Sequence, residues 1–197
     1  MKKLVCGVGF NDKTRPVFVD GKNVKEYDLW TGMLERCFSE KCQTRRPTYR
    51  GCSVSDNFLN YAYFYDWCHK QIGFGKVDDK GRYWQLDKDL LFVGNKTYSE
   101  STCIFVPQEI NKFFNENSNT RGEYPVGVCF DKANGKFVAH CTVNSKQQYL
   151  GLFSTPQEAF AVYKPFKENL CKQLALKWQH EIDHRVFNAM MNWEVKE

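Results

Sequence analysis

The segment 135–163, GKFVAHCTVNSKQQYLGLFSTPQEAFAVY, decides the fold that we predict for this chain. Two turn sequences, Ala133-Asn134-Gly135 and Asn144-Ser145-Lys146, lie at its start and within it. Asn-Gly tolerates the positive φ that hairpin turns need. The turns separate three predicted strands, which cover residues 124–130, 137–143 and 148–153. This part of the chain is therefore predicted to form a three-stranded antiparallel sheet.

A helix is predicted directly after the sheet. Residues 155–158 (TPQE) have the pattern of a capping box with proline at the first helical position. The helix that follows places four apolar residues on one face, namely Ala159, Val162, Tyr163 and Phe166. One helix covers one face of such a sheet and leaves the other face free. The free face is predicted to present His140, Thr142, Gln147 and Tyr149, with Lys136 and Lys146 at its ends. It contacts either water or the major groove of DNA, which admits β-structure.

Composition limits the classes of function. The 197 residues are 42% hydrophobic, which excludes a disordered chain, and the net charge of +5 is compatible with a polyanionic partner. The nine cysteines are odd in number and irregularly spaced, which argues against a secreted disulfide framework. Residues 1–13 lack a secretory pattern, and no window of 18 apolar residues occurs. We therefore expect an intracellular protein with no membrane partner. The cysteines are expected to be buried thiols, with zinc at Cys37, Cys42 and Cys52 as the alternative.

The N-terminal part is predicted to contain two helices, residues 28–38 and the aromatic-rich residues 56–70. The aromatic residues of the second helix are interpreted as a core face. A basic loop between the helices contains Lys41, Arg45, Arg46 and Arg50. These side chains are either solvated or in contact with phosphate.

A strand over residues 86–93, a turn at Gly94-Asn95, a helical turn capped by Ser99 and a helix over 107–114 are predicted next. The polar residues 115–123 are the predicted domain boundary, which gives domains of residues 1–117 and 118–197.

Residues 124–166 resemble the APETALA-type (plant ethylene-response-factor) DNA-binding domain. The resemblance rests on Gly127-Val128, Gly135-Lys136-Phe137, Ala139, Tyr149-Leu150-Gly151, Phe153, Thr155, Glu158-Ala159 and Ala161-Val162-Tyr163. It implies a DNA-binding sheet. The family reads the major groove with arginines and tryptophans, but the matching positions here are Val126, Cys129, Asp131, His140, Thr142 and Gln147, with Tyr149 in place of a tryptophan. The sequence specificity should therefore differ from that of the family.

The whole chain resembles phage-encoded HNH homing-endonuclease-like proteins that contain such a domain at the C-terminal end. The resemblance rests on Gly7-Val8-Gly9, Asn11-Asp12, Trp30, Met33-Leu34, Arg36-Cys37, Pro47-Thr48-Tyr49, Cys52, Val54, Trp67, 86–89 (LDKD), 94–96 (GNK), Tyr98-Ser99, Thr102-Cys103, 105–107 (FVP), 185–187 (RVF) and Met191-Asn192. It implies an α+β fold: a degenerate ββα-metal-like (HNH) N-terminal region plus a three-stranded antiparallel sheet packed on one helix.

The catalytic positions of the HNH motif are replaced in this chain. The resemblance puts Lys88 at the general base, Ser99 or its neighbour at the middle asparagine, and Thr102 at the helical ligand. A lysine of ordinary pKa is protonated at pH 7 and cannot accept a proton. Asp87 and Asp89 would share one face of a strand, near Asn95 and Glu100, and could hold Mg²⁺ or another divalent cation if cleavage survives. The interpretation weighed against this is that the two aspartates cap turns or pair with lysines.

The sequence thus favours a phage DNA-binding protein derived from an HNH homing endonuclease, in the cytoplasm of an infected bacterial host. Its partner is double-stranded DNA, and no small-molecule substrate is implied. Two alternatives stay open: an active metal-dependent homing-type endonuclease, and a phage accessory factor that binds and inhibits a host protein. Exposed aromatic residues on the predicted helix 56–70 would favour the accessory factor.

Overall fold

The chain has an α+β fold, with several small sheets and six α-helices in the part that the computed structural model describes, residues 4–115 and 123–196. It divides into two compact units, Met1–Gln108 and Glu109–Glu197. The division precedes the expected boundary at 115–123, because Glu109 and Ile110 belong to the C-terminal unit: Ile110 is fully buried, and Glu109 accepts a hydrogen bond from Trp178 Nε1 at 3.1 Å. Residues 116–122 of that boundary lie outside the described part.

Short strands and three helices make up the first unit. In chain order they are β1 (Phe18–Val19), β2 (Lys22–Asn23), α1 (Lys25–Phe38), α2 (Glu40–Arg45), β3 (Ser53–Val54), α3 (Tyr61–His69), β4 (Gln85–Asp87), β5 (Thr97–Tyr98) and β6 (Ile104–Val106). β1 and β2 form a hairpin, β3 pairs in parallel with β5, and β4 pairs antiparallel with β6. No helix of the described residues is long and apolar enough to cross a membrane.

Aromatic side chains form the core of this unit. Phe58, Tyr61, Phe64 and Trp67 are buried, so the prediction that the aromatic-rich stretch forms a core face is confirmed. The predicted continuous helix 56–70 is wrong at its start. Its first residues form a 3₁₀ turn, and α3 begins only after Asn60, whose side chain accepts hydrogen bonds from the backbone N–H groups of Ala62 and Tyr63. That cap leaves the N–H groups of the first turn satisfied.

Two other predicted elements of this unit differ from the structure. The basic stretch is not a loop: Ser39 caps α2 by accepting from the N–H of Cys42, and a 3₁₀ turn, Pro47–Tyr49, follows. The predicted strand 86–93 is only Gln85–Asp87. The strand ends there because Asp87 Oδ1 accepts the N–H groups of Asp89 (2.9 Å) and Leu90 (2.8 Å), which turns the backbone out of the extended conformation.

The second unit is built around a three-stranded sheet. Its elements are α4 (Gln108–Asn115), β7 (Val128–Asp131), β8 (Lys136–Val143), β9 (Lys146–Phe153), α5 (Pro156–Trp178) and α6 (His184–Met191). The strands pair antiparallel in the order β7-β8-β9, as predicted, although β7 begins four residues later than expected. The predicted capping box is present at Thr155 and Glu158, and α5 continues through Pro165.

The helix α5 packs on one face of the sheet. Ala139, Cys141, Ala159 and Tyr163 are buried between them, with Phe137, Leu150 and Phe153 packed against this cluster. Small residues on β8 allow the helix to approach the sheet. The opposite face of the sheet is not covered by α5, as the alternation of β8 predicted.

Candidate nucleic-acid interface

The uncovered face of the sheet presents two cross-strand pairs of polar residues. His140 lies opposite Tyr149, and Thr142 lies opposite Gln147. Tyr149, Thr142 and Gln147 are exposed, and His140 is half-buried. The ring centroids of His140 and Tyr149 are 5.9 Å apart. The four predicted groove-reading side chains are therefore brought together on one surface.

A β-bulge places Tyr149 on this face. Ala139 pairs with Gly151, whereas the next residue, His140, pairs with Tyr149, so Leu150 is the extra residue on β9. Strict alternation from Gly151 would direct Tyr149 towards α5. The bulge instead sends Leu150 to the core and Tyr149 to the free face.

A tight turn fixes the register of the two polar pairs. Asn144 and Ser145 connect β8 to β9, and both have positive φ, +49° and +62°. Two consecutive residues with positive φ match a type I′ turn, whose twist suits a hairpin. Asparagine tolerates this conformation better than most residues. The turn therefore holds Thr142 opposite Gln147.

The two lysines predicted at the ends of the face differ in position. Lys136 pairs with Asp131 and alternates with Val138 and His140, so it lies on the free face. Lys146 pairs with Val143, two positions from Cys141, and so belongs to the side that faces α5. Both lysines are exposed. Of the two, only Lys136 extends the surface of His140 and Tyr149.

An acidic residue borders the free face. Asp131 accepts hydrogen bonds from the N–H of Ala133 (2.9 Å) and from Asn134 Nδ2 (2.7 Å). The Asn134 bond, followed by the Ala133 bond, lowers the pKa of the Asp131 carboxyl. The anion is thus used to close the β7–β8 turn. A phosphate would be repelled at this end unless Lys136, directly opposite, offsets the charge.

A second cationic surface lies on the first unit. Arg45, Arg46 and Arg50 are exposed, and within residues 4–115 and 123–196 no ion pair involves them. Lys96 Nζ donates to the carbonyl of Thr48 at 2.6 Å, and the N–H of Ser53 donates to the carbonyl of Lys96. These bonds hold the arginine segment beside the chain that enters β5.

Four of the predicted catalytic residues, Asp87, Lys88, Asp89 and Asn95, belong to a closed loop over residues 87–95. Lys88 is buried, and its Nζ donates to Asp89 Oδ2 and to the carbonyl of Asn95, each at 3.1 Å. Asn95 Nδ2 returns a bond to the carbonyl of Lys88 at 2.7 Å. Lys88, which was expected at the general-base position, therefore joins the two ends of the loop.

The two aspartates do not share a strand face, the arrangement that a shared metal ion would need. β4 ends at Asp87, whose Oδ1 is used by the turn described above, and Asp89 is paired with Lys88. Burial, followed by repulsion from Asp89, raises the pKa of the Asp87 carboxyl to about 6. The two carboxylates are thus close to each other and engaged in internal bonds, which is the turn-and-lysine interpretation.

Ser99 and Thr102 lie in a tight turn, not in a helix. Thr102 Oγ1 donates to the carbonyl of Thr97 at 2.8 Å and accepts from the N–H of Ser99 at 3.1 Å. Thr102, which was expected at the helical ligand position, therefore closes a turn. The nearby Glu100 accepts from Ser55 Oγ (3.1 Å) and Asn57 Nδ2 (2.7 Å), so it too is engaged away from the aspartates.

Metal-binding groups are sparse. In the described residues, no group of three or more His, Cys, Asp or Glu side chains is placed to hold an ion. A divalent cation at Asp87 and Asp89 would compete with the Lys88 ammonium, which already neutralises Asp89. Cys37, Cys42 and Cys52 are buried, and burial raises the pKa of the Cys37 thiol to about 12, as befits protonated core thiols.

Sequence reasoning missed a pair of exposed apolar residues within the loop. Phe92 and Val93 are 58% and 68% exposed. They were expected inside a strand, and the signal that could have separated them from it is the Gly94-Asn95 turn that immediately follows.

Comparisons of the chain with models of known families, with curated proteins and with solved structures found no match.

Proposed function

We propose that this protein binds double-stranded DNA through the free face of its three-stranded sheet, on a scaffold related to phage HNH homing endonucleases whose cleavage motif is degenerate. The observation that supports the proposal best is the pair of cross-strand partners, His140–Tyr149 and Thr142–Gln147, on the face that α5 leaves uncovered. Hydroxyl, amide and imidazole groups can exchange hydrogen bonds with base edges.

Phosphate contacts would come from exposed cations in both units. Arg45, Arg46 and Arg50 form one group, and Lys136 is at the end of the free face. Such contacts position a protein on DNA without selecting sequence, while the sheet's polar pairs select it. The absence of arginines from the free face implies weaker discrimination of guanine than arginine-based readers achieve.

Loss of cleavage is the second part of the proposal. It is supported by the bonds of Lys88, Asp87 and Thr102, each of which stabilises a turn. A working general base needs an unprotonated group within reach of water, and an ammonium bonded to Asp89 and to a backbone carbonyl does not supply one. Of the aromatic residues whose exposure would favour a host-protein partner, Phe58, Tyr61, Phe64 and Trp67 are buried, whereas Tyr63 is 42% exposed.

Binding-site selection from a random duplex library tests the reading role of the sheet. Wild type is expected to enrich a preferred sequence. Tyr149→Ala should change that preference, whereas Lys136→Ala should weaken binding to all sequences alike. Lys146→Ala is the matched control, since Lys146 lies on the other side of the sheet, and it should weaken binding less than Lys136→Ala. An unchanged preference for Tyr149→Ala would remove the free face from the proposal.

A plasmid-nicking assay with Mg²⁺ and Mn²⁺, and EDTA as control, tests the loss of cleavage. We expect no metal-dependent nicking. Nicking that vanishes in the Asp87→Asn/Asp89→Asn double variant would instead establish the active endonuclease, with the two aspartates released from their turn to bind the ion.

A further inference from the structure

The loop that contains the degenerate motif ends in an exposed apolar tip. The carbonyl of Phe92 accepts the N–H of Asn95 at 2.9 Å, so residues 92–95 form a β-turn. Gly94, at the third position of the turn, has φ +84°, the conformation that a type II turn requires there and that glycine adopts without strain. Phe92 and Val93 consequently project at the tip as two adjacent, largely exposed apolar side chains.

The base of the loop is held closed. Lys88 and Asn95 exchange two hydrogen bonds, and Asn95 Nδ2 also donates to the carbonyl of Thr97 at 2.7 Å. Leu90 is buried beneath the loop. A tip supported in this way loses little conformational freedom when it enters a binding partner.

Positive charge lies next to the tip along the chain. Lys96, one residue after the turn, is exposed and bonded to the carbonyl of Thr48, which brings it beside the segment of Arg46 and Arg50. Asp89, a carboxylate of the same loop, is paired with Lys88. An apolar tip followed by an exposed cation is complementary to a polyanion with an apolar interior, and duplex DNA has phosphates outside and stacked bases inside.

We infer that Phe92 and Val93 form a wedge that inserts between base pairs of double-stranded DNA and kinks it, with Arg46, Arg50 and Lys96 on the flanking phosphates. The inference rests on the proposed DNA binding and adds a mode of engagement to it. Apolar wedges of this kind partly unstack one base step and bend the duplex. The loop that would have held a nuclease site then serves to deform DNA.

Ring closure of a short DNA fragment by ligase tests the wedge without knowledge of the target sequence. A fragment of about 130 base pairs is shorter than the persistence length of DNA, about 150 base pairs, and closes poorly unless a bound protein bends it. Wild type at saturating concentration should increase ring closure. Phe92→Ala/Val93→Ala should abolish the increase and weaken binding on the order of tenfold, with the salt dependence of affinity unchanged.

Phe18→Ala/Val19→Ala is the matched control, because it removes a second exposed apolar pair from the same unit, on the β1–β2 hairpin next to Asp20. This variant should close rings as wild type does. Thermal unfolding of both variants verifies that they fold. Salt-dependent binding by wild type without added ring closure, or equal closure by the Phe92/Val93 variant, overturns the wedge alone. Absence of salt-dependent binding to any duplex overturns the wedge together with the proposed function.

Discussion

Single residues determine how the chain folds between Asp87 and Asn95. The Asp87 carboxyl ends β4 by accepting two backbone N–H groups, and Lys88 and Asn95 close the loop that follows. The cost of this arrangement is electrostatic, because Asp87 and Asp89 repel each other in a partly desolvated site. Two predictions belong to this scale.

Asp87→Asn should stabilise the protein at neutral pH. The pKa of Asp87 is raised from its ordinary 3.8 to about 6, so the folded state binds more protons than the unfolded state between those values. The free energy of unfolding therefore falls as pH rises through this window, which is the opposite of the usual behaviour of a carboxylate. Asparagine keeps the acceptor for Asp89 and Leu90 but removes the charge. We expect a gain of about 1–2 kcal/mol at pH 7 after allowance for partial exposure.

Urea unfolding from pH 4 to pH 7.5 measures the effect. The difference between variant and wild type should grow across that range and level off above pH 6.5. Asp79→Asn, at an exposed aspartate, is the control and should run parallel to wild type. A constant difference for Asp87→Asn over the whole range would contradict the raised pKa.

Gly127→Ala should destabilise the second unit severely. Gly127 has φ +79°, and an added Cβ would collide with the ring of Tyr163, which packs over the glycine from α5. Both backbone strain and overpacking oppose the change, and together they cost about 3 kcal/mol or more.

The control for this prediction is Gly135→Ala. Gly135 also has positive φ, +62°, but its added Cβ would meet no atom within 4 Å. Backbone strain alone should therefore cost about 1–2 kcal/mol. Chemical unfolding followed by circular dichroism compares the two variants. Equal losses would mean that Tyr163 does not press on Gly127 as described.

At the scale of elements, local chemistry decided which predictions succeeded. The β8–β9 hairpin and the capping box of α5 were predictable, because each has a strong signal within a few residues. The end of β4 was not predicted, because the apolar residues on both sides of Asp87 favour a longer strand. The hydrogen bonds from the N–H groups of Asp89 and Leu90 to the Asp87 side chain end the strand instead. The bulge at Leu150 depends on what α5 covers, and alternation alone cannot reveal it.

The capping box supplies a prediction at this scale. Thr155 Oγ1 accepts from the N–H of Glu158, and Glu158 Oε2 accepts from the N–H groups of Thr155 and Ser154. Thr155→Ala removes one of these bonds from the start of the helix that supports the sheet. It should lower the free energy of unfolding by about 1 kcal/mol, measured by urea denaturation. Thr155→Ser keeps the hydroxyl and should lose only a few tenths; a serine variant as unstable as the alanine variant would contradict the capping role.

At the scale of the whole molecule, we propose different tasks for the two units. The sheet of the second unit would select sequence, while the arginine segment and the loop tip of the first unit would hold and bend DNA. The sequence correctly placed the four polar residues on the face that α5 leaves uncovered, although His140 is half-buried, and the arginines at the surface. It could not show that Lys146 turns away from them or that Phe92 and Val93 are exposed, because both depend on strand register and strand length.

The division of tasks predicts separable variants. Arg45→Ala/Arg46→Ala/Arg50→Ala should reduce the salt dependence of DNA affinity by about two to three ion equivalents and leave the selected sequence unchanged. Thr142→Ala/Gln147→Ala should leave the salt dependence of DNA affinity unchanged and change the selected sequence. Fluorescence anisotropy with one preferred and one scrambled duplex, at several salt concentrations, distinguishes the two. Identical effects of both variants would argue against separate phosphate and base contacts.

The most direct test of DNA binding is the affinity of the wild-type chain for a short duplex as a function of salt. If Arg45, Arg46, Arg50 and Lys136 each neutralise a phosphate, log Kd should rise linearly with log salt with a slope of about 3 to 4. A polyanion of another shape, such as heparin, should compete less well than DNA. Weak binding that does not respond to salt, or no binding at about 50 mM salt, would contradict the account and leave the free face of the sheet without a nucleic-acid partner.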